Sequence, residues 1–380
     1  MITEQRKHIL INCSNLHVGG AVAVATSFIN RVSIKQSLDF DVSILVSTKV
    51  MKNLLELDVN LSAFKKVKVA DFIGIKALWS GLSQNISGYD LVFTVFGPAY
   101  SMKKITKHIV GFAQPSIIYP ESRAFYKVSF IRRMLMRLKF RVQRFFFAKA
   151  DSFVVELEHV KSGLQKISGF HSRKISVVNS AVDSVFSQPG RWVSINNGVK
   201  QSSALKLGLI SRNYAHKNLD LLPYIKNALK KDHGIDADIY VTFVPEEWNK
   251  CPNFFKKNIN NVGSLTLAQC PTFYSSLDGV VFPSLLECFS AVPIESMLMG
   301  KPLFASDLSF IKDCCKDFAN YFVPEDADSA AAAIANYFAK SSDEQERFIH
   351  DAKSFVSLYP SATDRADSYL DLIQRELYDK

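Results

Sequence analysis

A chain of 380 residues with 48% apolar and 22% charged side chains is long enough for two full-sized cores and too apolar for a disordered segment. Its six cysteines, at 13, 251, 270, 288, 314 and 315, show no C-x-x-C pairing, so a zinc site is not indicated and the thiols read as reduced and cytosolic. No run approaches the roughly 18 apolar residues of a spanning helix, and the apolar run after the basic start is broken at Asn12, Ser14 and Asn15, so neither a membrane span nor a signal peptide is expected.

The first strand is expected at His8–Cys13, followed by the loop Ser14–Gly20 and an Ala-rich helix from Ala21 to Val32. Strand, glycine loop and helix in that order open a nucleotide fold, although the G-x-G-x-x-G fingerprint of a dinucleotide site is absent. Further strand-like runs lie at 40–45, 91–95, 108–112, 152–155 and 175–178, separated by helical or loop stretches, which predicts a parallel sheet covered on both faces. Residues 187–203, with Gly190, Asn196, Asn197 and Gly198, lack periodicity and read as a linker. A second alternating series follows, with strands at 205–210, 238–244, 261–263, 279–282, 302–305 and 321–323 and a long helix at 329–339. The expected fold class is therefore α/β, with two doubly wound Rossmann-like domains facing each other across a cleft. The first spans 1–188, joined by a C-terminal helix at about 360–380, and the second spans 200–358.

The net charge of +10 is lopsided: residues 1–190 hold 26 Lys/Arg against 12 Asp/Glu, whereas residues 191–380 hold 20 against 24. Residues 122–150 alone carry nine basic residues and no acidic one, interleaved with bulky apolar residues at helical spacing. That pattern suits a helix on an anionic bilayer surface, where each basic residue contributes about 1 kcal/mol. It equally suits a helix whose apolar face is core and whose basic face is merely solvated. Nucleic acid is not favoured, since no RNP-like, zinc-finger or helix-turn-helix signature accompanies the charge.

Two motifs carry chemistry. After the strand 205–210, Arg212 and Lys217 emerge five positions apart in Ser211-Arg-Asn-Tyr-Ala-His-Lys-Asn218, where two fixed cations can hold a diphosphate and neutralise it as a leaving group. After the strand 279–282, Glu287 is expected on a loop and Glu295 in the first turn of a helix that begins near Pro293 and stops at Gly300. Helix N-termini suit phosphates and carboxylates suit sugar hydroxyls, so the pair points to a nucleotide-sugar. Each motif alone is equally an ordinary surface feature.

Together, Arg212-x4-Lys217, Pro283-Ser284, Glu287-x7-Glu295 and Gly300-Lys-Pro302-Leu-Phe-Ala-Ser306 resemble the family 4 glycosyltransferases, retaining enzymes of GT-B architecture, with further likeness at 261–265 and 321–326. The resemblance implies that Arg212, Lys217 and Glu287 are the catalytic set, the cations binding the donor diphosphate and Glu287 the donor sugar. It implies substrate contacts at Gly19, Gly20, Asn218, Phe243, Val244, Gly263, Leu265, Phe289, Ser290 and Glu295, with Glu295 on the ribose. On the acceptor side, His17 and Gln114 are candidates, Gln114 standing where many members have a His. The acceptor hydroxyl would attack on the face the leaving group departs from, needing no protein nucleophile, cofactor or metal. Cys288 and Ser290 stand where the family usually has Gly, so side chains crowd that loop.

The expected function is hexose transfer, with retention, from a UDP- or GDP-sugar to a lipid-linked saccharide acceptor in cell-surface polysaccharide synthesis (O-antigen, capsule or lipopolysaccharide), by a cytoplasmic protein peripheral on the inner membrane face. A nucleotide-sugar epimerase or phosphorylase of the same fold, or a silent membrane-binding module, are the alternatives.

Overall fold

Among the described residues are thirteen short strands, and the central ones, such as Leu91–Thr94, Ser152–Val155, Gly279–Phe282 and Leu303–Ser306, are buried at every position and so are covered on both sides, which is the condition for parallel sheets. The computed structural model describes residues 6–195, 198–200 and 202–378. The chain divides into two units, the first comprising 1–118, 135–181 and 360–380 and the second 119–134 and 182–359.

In the first unit, β1 (His8–Cys13), β2 (Asp41–Val46), β3 (Lys66–Val69), β4 (Leu91–Thr94), β5 (His108–Gly111), β6 (Ser152–Val155) and β7 (Lys174–Val177) form one parallel sheet in the order β3-β2-β1-β4-β5-β6-β7. The order reverses between β1 and β4. Helix Gly20–Ile34 covers one face, burying Val24, Phe28 and Val32, and helix Ala362–Tyr378 packs beside it. Tyr369 of that last helix meets Phe28 and Phe93 edge-on, each with ring centroids 5.3 Å apart. Arg365 donates to Ser27 Oγ at 2.8 Å, and Asp367 takes both Arg31 Nε (3.0 Å) and Arg31 Nη2 (2.8 Å). The buried Glu376 pairs with Lys174 at 2.7 Å.

In the second unit, β8 (Leu205–Gly208), β9 (Ala237–Val241), β10 (Ile259–Asn261), β11 (Gly279–Phe282), β12 (Leu303–Ser306) and β13 (Asn320–Phe322) form a parallel sheet in the order β10-β9-β8-β11-β12-β13. Its reversal lies between β8 and β11, the position at which open parallel sheets form their ligand crevices.

Three sequence expectations change. Residues 119–134 were expected in the first domain but belong to the second unit: Ala124 packs with Leu285 and Leu286, Ser122 Oγ donates to the Leu285 carbonyl at 3.2 Å, and Lys127 pairs with Glu325 at 3.3 Å. The described part of the expected linker is tied down in that same unit, since Val193 N–H donates to the Ala268 carbonyl at 2.9 Å and the Ser194 carbonyl accepts from Gln269 at 3.1 Å; Asn196 and Asn197 lie outside the described residues. Strand β3 (Lys-Val-Lys-Val) is additional, an exposed sheet edge whose alternate lysines hid it. The basic segment does form a helix, Phe130–Phe147, and among the described residues no helix is long and apolar enough to cross a membrane.

Candidate functional site

The two sequence motifs leave the sheet from adjacent strands of the second unit, β8 and β11, so the fold brings them together at its reversal point. A hydrogen bond from Leu285 N–H to the His216 carbonyl at 2.8 Å stitches the two loops to each other. Lys217 Nζ lies 2.6 Å from Glu287 Oε1, both side chains almost fully shielded, and Ser284 Oγ donates to the same carboxylate oxygen at 3.1 Å. The Lys217 ammonium also stands over the Phe282 ring, 5.3 Å from its centroid. His216, stacked on Tyr214 and 3.9 Å from Glu287, has its pKa lowered chiefly by burial, with Glu287 pulling upward and Lys217 downward. A lowered pKa leaves its ring neutral near pH 7.

Arg212 is half-exposed and held by a partner absent from the sequence reading: its Nε donates to Glu247 Oε1 at 2.7 Å. The second oxygen of Glu247 accepts from Asn213 N–H at 3.3 Å, so one carboxylate grips both the cation and its loop. Glu247 sits in the first turn of helix Pro245–Asn249, where a negative charge also favours the helix dipole. Its proline-started turn after a strand is a visible signal, but nothing in the sequence pairs it with a residue 35 positions earlier.

Asn218 closes the β8 loop with φ 54° and ψ 35°, a left-handed conformation that Asn tolerates better than most residues. It is buried, and neither polar atom of its carboxamide finds a partner among the described residues. An orphaned amide at this point is a place where a bound polar group would be accommodated.

Glu295 corrects the sequence expectation. The helix spans Ala291–Leu298 with Ser290 as its N-cap, so Pro293 is its third residue and Glu295 its fifth, beyond the first turn. Glu295 Oε2 accepts from the Tyr274 hydroxyl at 2.8 Å. Burial pushes its pKa up to about 7, opposed by that hydrogen bond and assisted by Asp183. Gly300 follows the helix with φ +68°, the left-handed turn that favours glycine at a helix end.

Cys288 and Ser290 do not strain their loop. Ser290 has φ −138°, and Cys288, Phe289 and Ser290 are all absent from the positive-φ residues, so the path is one that side chains adopt freely. Cys288 is buried, while Phe289 and Ser290 are half-exposed at the helix start. On the β9 side, Phe243 turns its ring inward against Phe255 and spends both backbone groups on Asn261, which accepts from Phe243 N–H at 2.8 Å and donates to its carbonyl at 3.1 Å. Its ring is buried, and both backbone groups already have a partner in Asn261. The same Asn261 oxygen accepts from Gly263 N–H at 3.2 Å, so Val244, Gly263 and the half-buried Leu265 flank an asparagine that organises both turns.

The remaining candidates lie in the first unit. Gly19 is the N-cap of helix Gly20–Ile34 with φ 71°, exposed, and a side chain on Gly19 or Gly20 would meet no atom within 4 Å, so their backbone is open to a ligand. His17 is engaged by Asp71 at 3.4 Å, which also accepts from Thr48 N–H at 2.9 Å. Gln114 is half-buried, its carbonyl starting the turn to Ile117.

Solved structures similar over nearly the whole chain include a sucrose-phosphate synthase from Thermosynechococcus elongatus (TM-score 0.70, 12% identity, 97% of this chain and 99% of that one) and a glycosyltransferase from Rickettsia africae (0.69, 15%, 99% and 100%). The Anabaena protein HepE, solved in complex with UDP-glucose, gives 0.66 at 14% identity over 97% and 99%. The fold is GT-B. Within the second unit, residues 254–355 match the family described as "Glycosyl transferases group 1". Among curated proteins, the O-antigen chain mannosyltransferase RfbU of Salmonella typhimurium is 26% identical over 220 residues, a match that spans 56% of this chain and 57% of the relative's length. The matched residues 254–355 include Glu287 and lie in the same unit as Arg212 and Lys217.

Proposed function

We propose that the chain is a retaining hexosyltransferase of the family 4 type. It moves a hexose from a UDP- or GDP-sugar to a lipid-linked saccharide acceptor, without a metal or cofactor, at the inner face of the cell membrane, in the synthesis of a cell-surface polysaccharide such as an O-antigen. The observation that carries the reading is the convergence of Lys217, Glu287 and the Arg212 loop at the reversal point of a GT-B sheet. The UDP-glucose in the HepE complex and the O-antigen activity in the relative's name support it.

In this reading Arg212 and Lys217 bind the diphosphate and stabilise it as it leaves, Arg212 through its planar fork and Lys217 as a point charge. Glu287 holds the donor sugar's hydroxyls and keeps Lys217 oriented until the diphosphate arrives. Asn218 turns its unpaired carboxamide to the donor, and Glu295 receives the ribose. The donor phosphate takes the acceptor's proton on the departing face, so catalysis rests on positioning and charge stabilisation. The test is turnover of UDP- and GDP-sugars by the purified chain, with lipid-linked acceptors and EDTA present. Release of nucleoside diphosphate that depends on acceptor and survives EDTA is expected; no turnover of any donor, alongside a working control enzyme, would overturn the proposal.

A further inference from the structure

The helix Phe130–Phe147 is apolar on two opposite faces. One face is core: Phe147 packs against Phe112 and Phe153, and Gln143 and Phe146 are buried. At about 100° per residue the helix places Met136, Phe140, Gln143 and Phe147 in one arc. Ile131, Met134, Leu135, Leu138 and Phe145 fall in the arc roughly opposite, and there they are open to solvent, Ile131 72%, Leu138 60% and Phe145 53% exposed. Core packing explains the first face and, in the second arc, Val142, which is half-buried against the cluster of Tyr100 and Phe146; it leaves Ile131, Met134, Leu135, Leu138 and Phe145 without a reason.

The flanks of this outer stripe are basic. On the same projection Arg137, Arg141 and Arg144 border one side and Arg132 and Lys139 the other, and residues 122–150 hold no acidic residue. Lys149, next along the chain, stands 5.5 Å from the centroid of the Phe145 ring and reaches the Met102 carbonyl at 3.5 Å. It thereby joins to the stripe a further exposed apolar residue, Met102, which is followed by Lys103 and Lys104.

We infer that this outer face is a docking surface for an anionic lipid bilayer, the helix lying in the plane of the interface with Ile131, Leu135, Leu138 and Phe145 among the acyl chains and its arginines on the headgroup phosphates. An apolar stripe between two cationic margins matches a surface that is oily inside and negative outside. A protein partner of ordinary composition would leave one margin of like charge facing no counter-ion, whereas a phosphate layer meets both. The inference deepens the proposed reading, resting on it only for the idea that the acceptor is membrane-borne.

The experiment is sedimentation of the full chain with phosphatidylcholine vesicles, with and without phosphatidylglycerol, at low and high salt. Binding to the anionic vesicles, falling as salt rises, is expected. In Ile131→Ser/Leu135→Ser/Leu138→Ser it should fall at least tenfold, with the melting transition unchanged because these side chains contribute little to the core. Arg137→Gln/Lys139→Gln/Arg141→Gln should lose the preference for anionic lipid, a second variant that alters no apolar group. No sedimentation with either vesicle at low salt, equal binding to both, or a stripe variant that instead turns a dimer into a monomer would overturn it. The vesicle assay contains no nucleotide-sugar and so reads the surface alone: vesicle binding by a chain that fails the separate turnover test would sink the proposed function and leave this surface standing.

Discussion

Glu247 Oε1 accepts from Arg212 Nε at 2.7 Å while its other oxygen takes Asn213 N–H, so the diphosphate-binding candidate is held by its inner edge. The terminal amino groups of the guanidinium form the fork that suits a phosphate. Arg212→Ala is expected to lower turnover by on the order of 10². Glu247→Ala should cost about tenfold, Glu247→Gln less because an acceptor remains, and the double alanine variant no more than Arg212→Ala alone, since residues in one network are not additive. Steady-state kinetics of the four variants decide it; strictly additive losses would show that Glu247 acts on something other than Arg212.

The Lys217–Glu287 pair, 2.6 Å apart and shielded, predicts two effects of one substitution. Glu287→Ala removes the proposed sugar contact and should lower turnover by on the order of 10². It also strands the Lys217 ammonium, so the variant should melt at a lower temperature than wild type, and Glu287→Ala/Lys217→Met should recover stability without recovering activity. A single variant with wild-type rates would remove Glu287 from the site.

The Glu295 carboxyl, whose ordinary pKa is 4.5, is pushed by burial to about 7. A raised folded-state pKa contributes stability that is fully present below the unfolded value and is lost as pH rises through the folded one, here from about 4.5 to about 7. Glu295→Gln should flatten that stretch of the stability curve. The ionised carboxylate is the acceptor that ribose hydroxyls need, so nucleoside diphosphate affinity should rise as pH passes about 7 in the wild type and stay level in Glu295→Gln. Parallel affinity curves for the two proteins would exclude ligand contact by Glu295.

Tyr369 completes an aromatic cluster with Phe28 and Phe93 and is fully buried. Tyr369→Ala should destabilise the first unit by about 3 kcal/mol or more, the range for deleting a large buried ring. Hydrogen exchange would show it as faster exchange at β1 and β4 amides, with β8 and β11 unaffected; uniform acceleration in both sheets would contradict a cluster confined to one unit.

Much of this was legible in the chain because its strands are buried on both faces and so read as apolar runs such as Gly279–Phe282. That the Arg212–Lys217 loop and the Glu287 loop come together was legible too, since each follows a strand and the two strands are neighbours in the sheet. What escaped were relations between distant residues. Glu247 is an unremarked helix-start glutamate until the fold sets it against Arg212, and Asn261 is a polar strand end until it takes both backbone groups of Phe243. The helix holding Glu295 starts at Ala291, two residues before Pro293, because the extended Ser290 caps it, so a proline that marks a helix start in sequence stands here at the third position. Strand β3 was missed for the opposite reason, its alternate lysines giving an edge the look of a loop.

The place of helix Ala362–Tyr378 in the first unit has a consequence for how the protein is made. Arg365, Tyr369 and Ile373 close a core whose other walls, β1, β2 and helix Gly20–Ile34, leave the ribosome first. The second unit must be synthesised in between, so for most of translation the first sheet waits with the cover for Phe28 and Phe93 still missing. Such a nascent chain exposes apolar surface until its partner segment arrives, and chaperone dependence should track the completion of residues 362–378 rather than of residue 181.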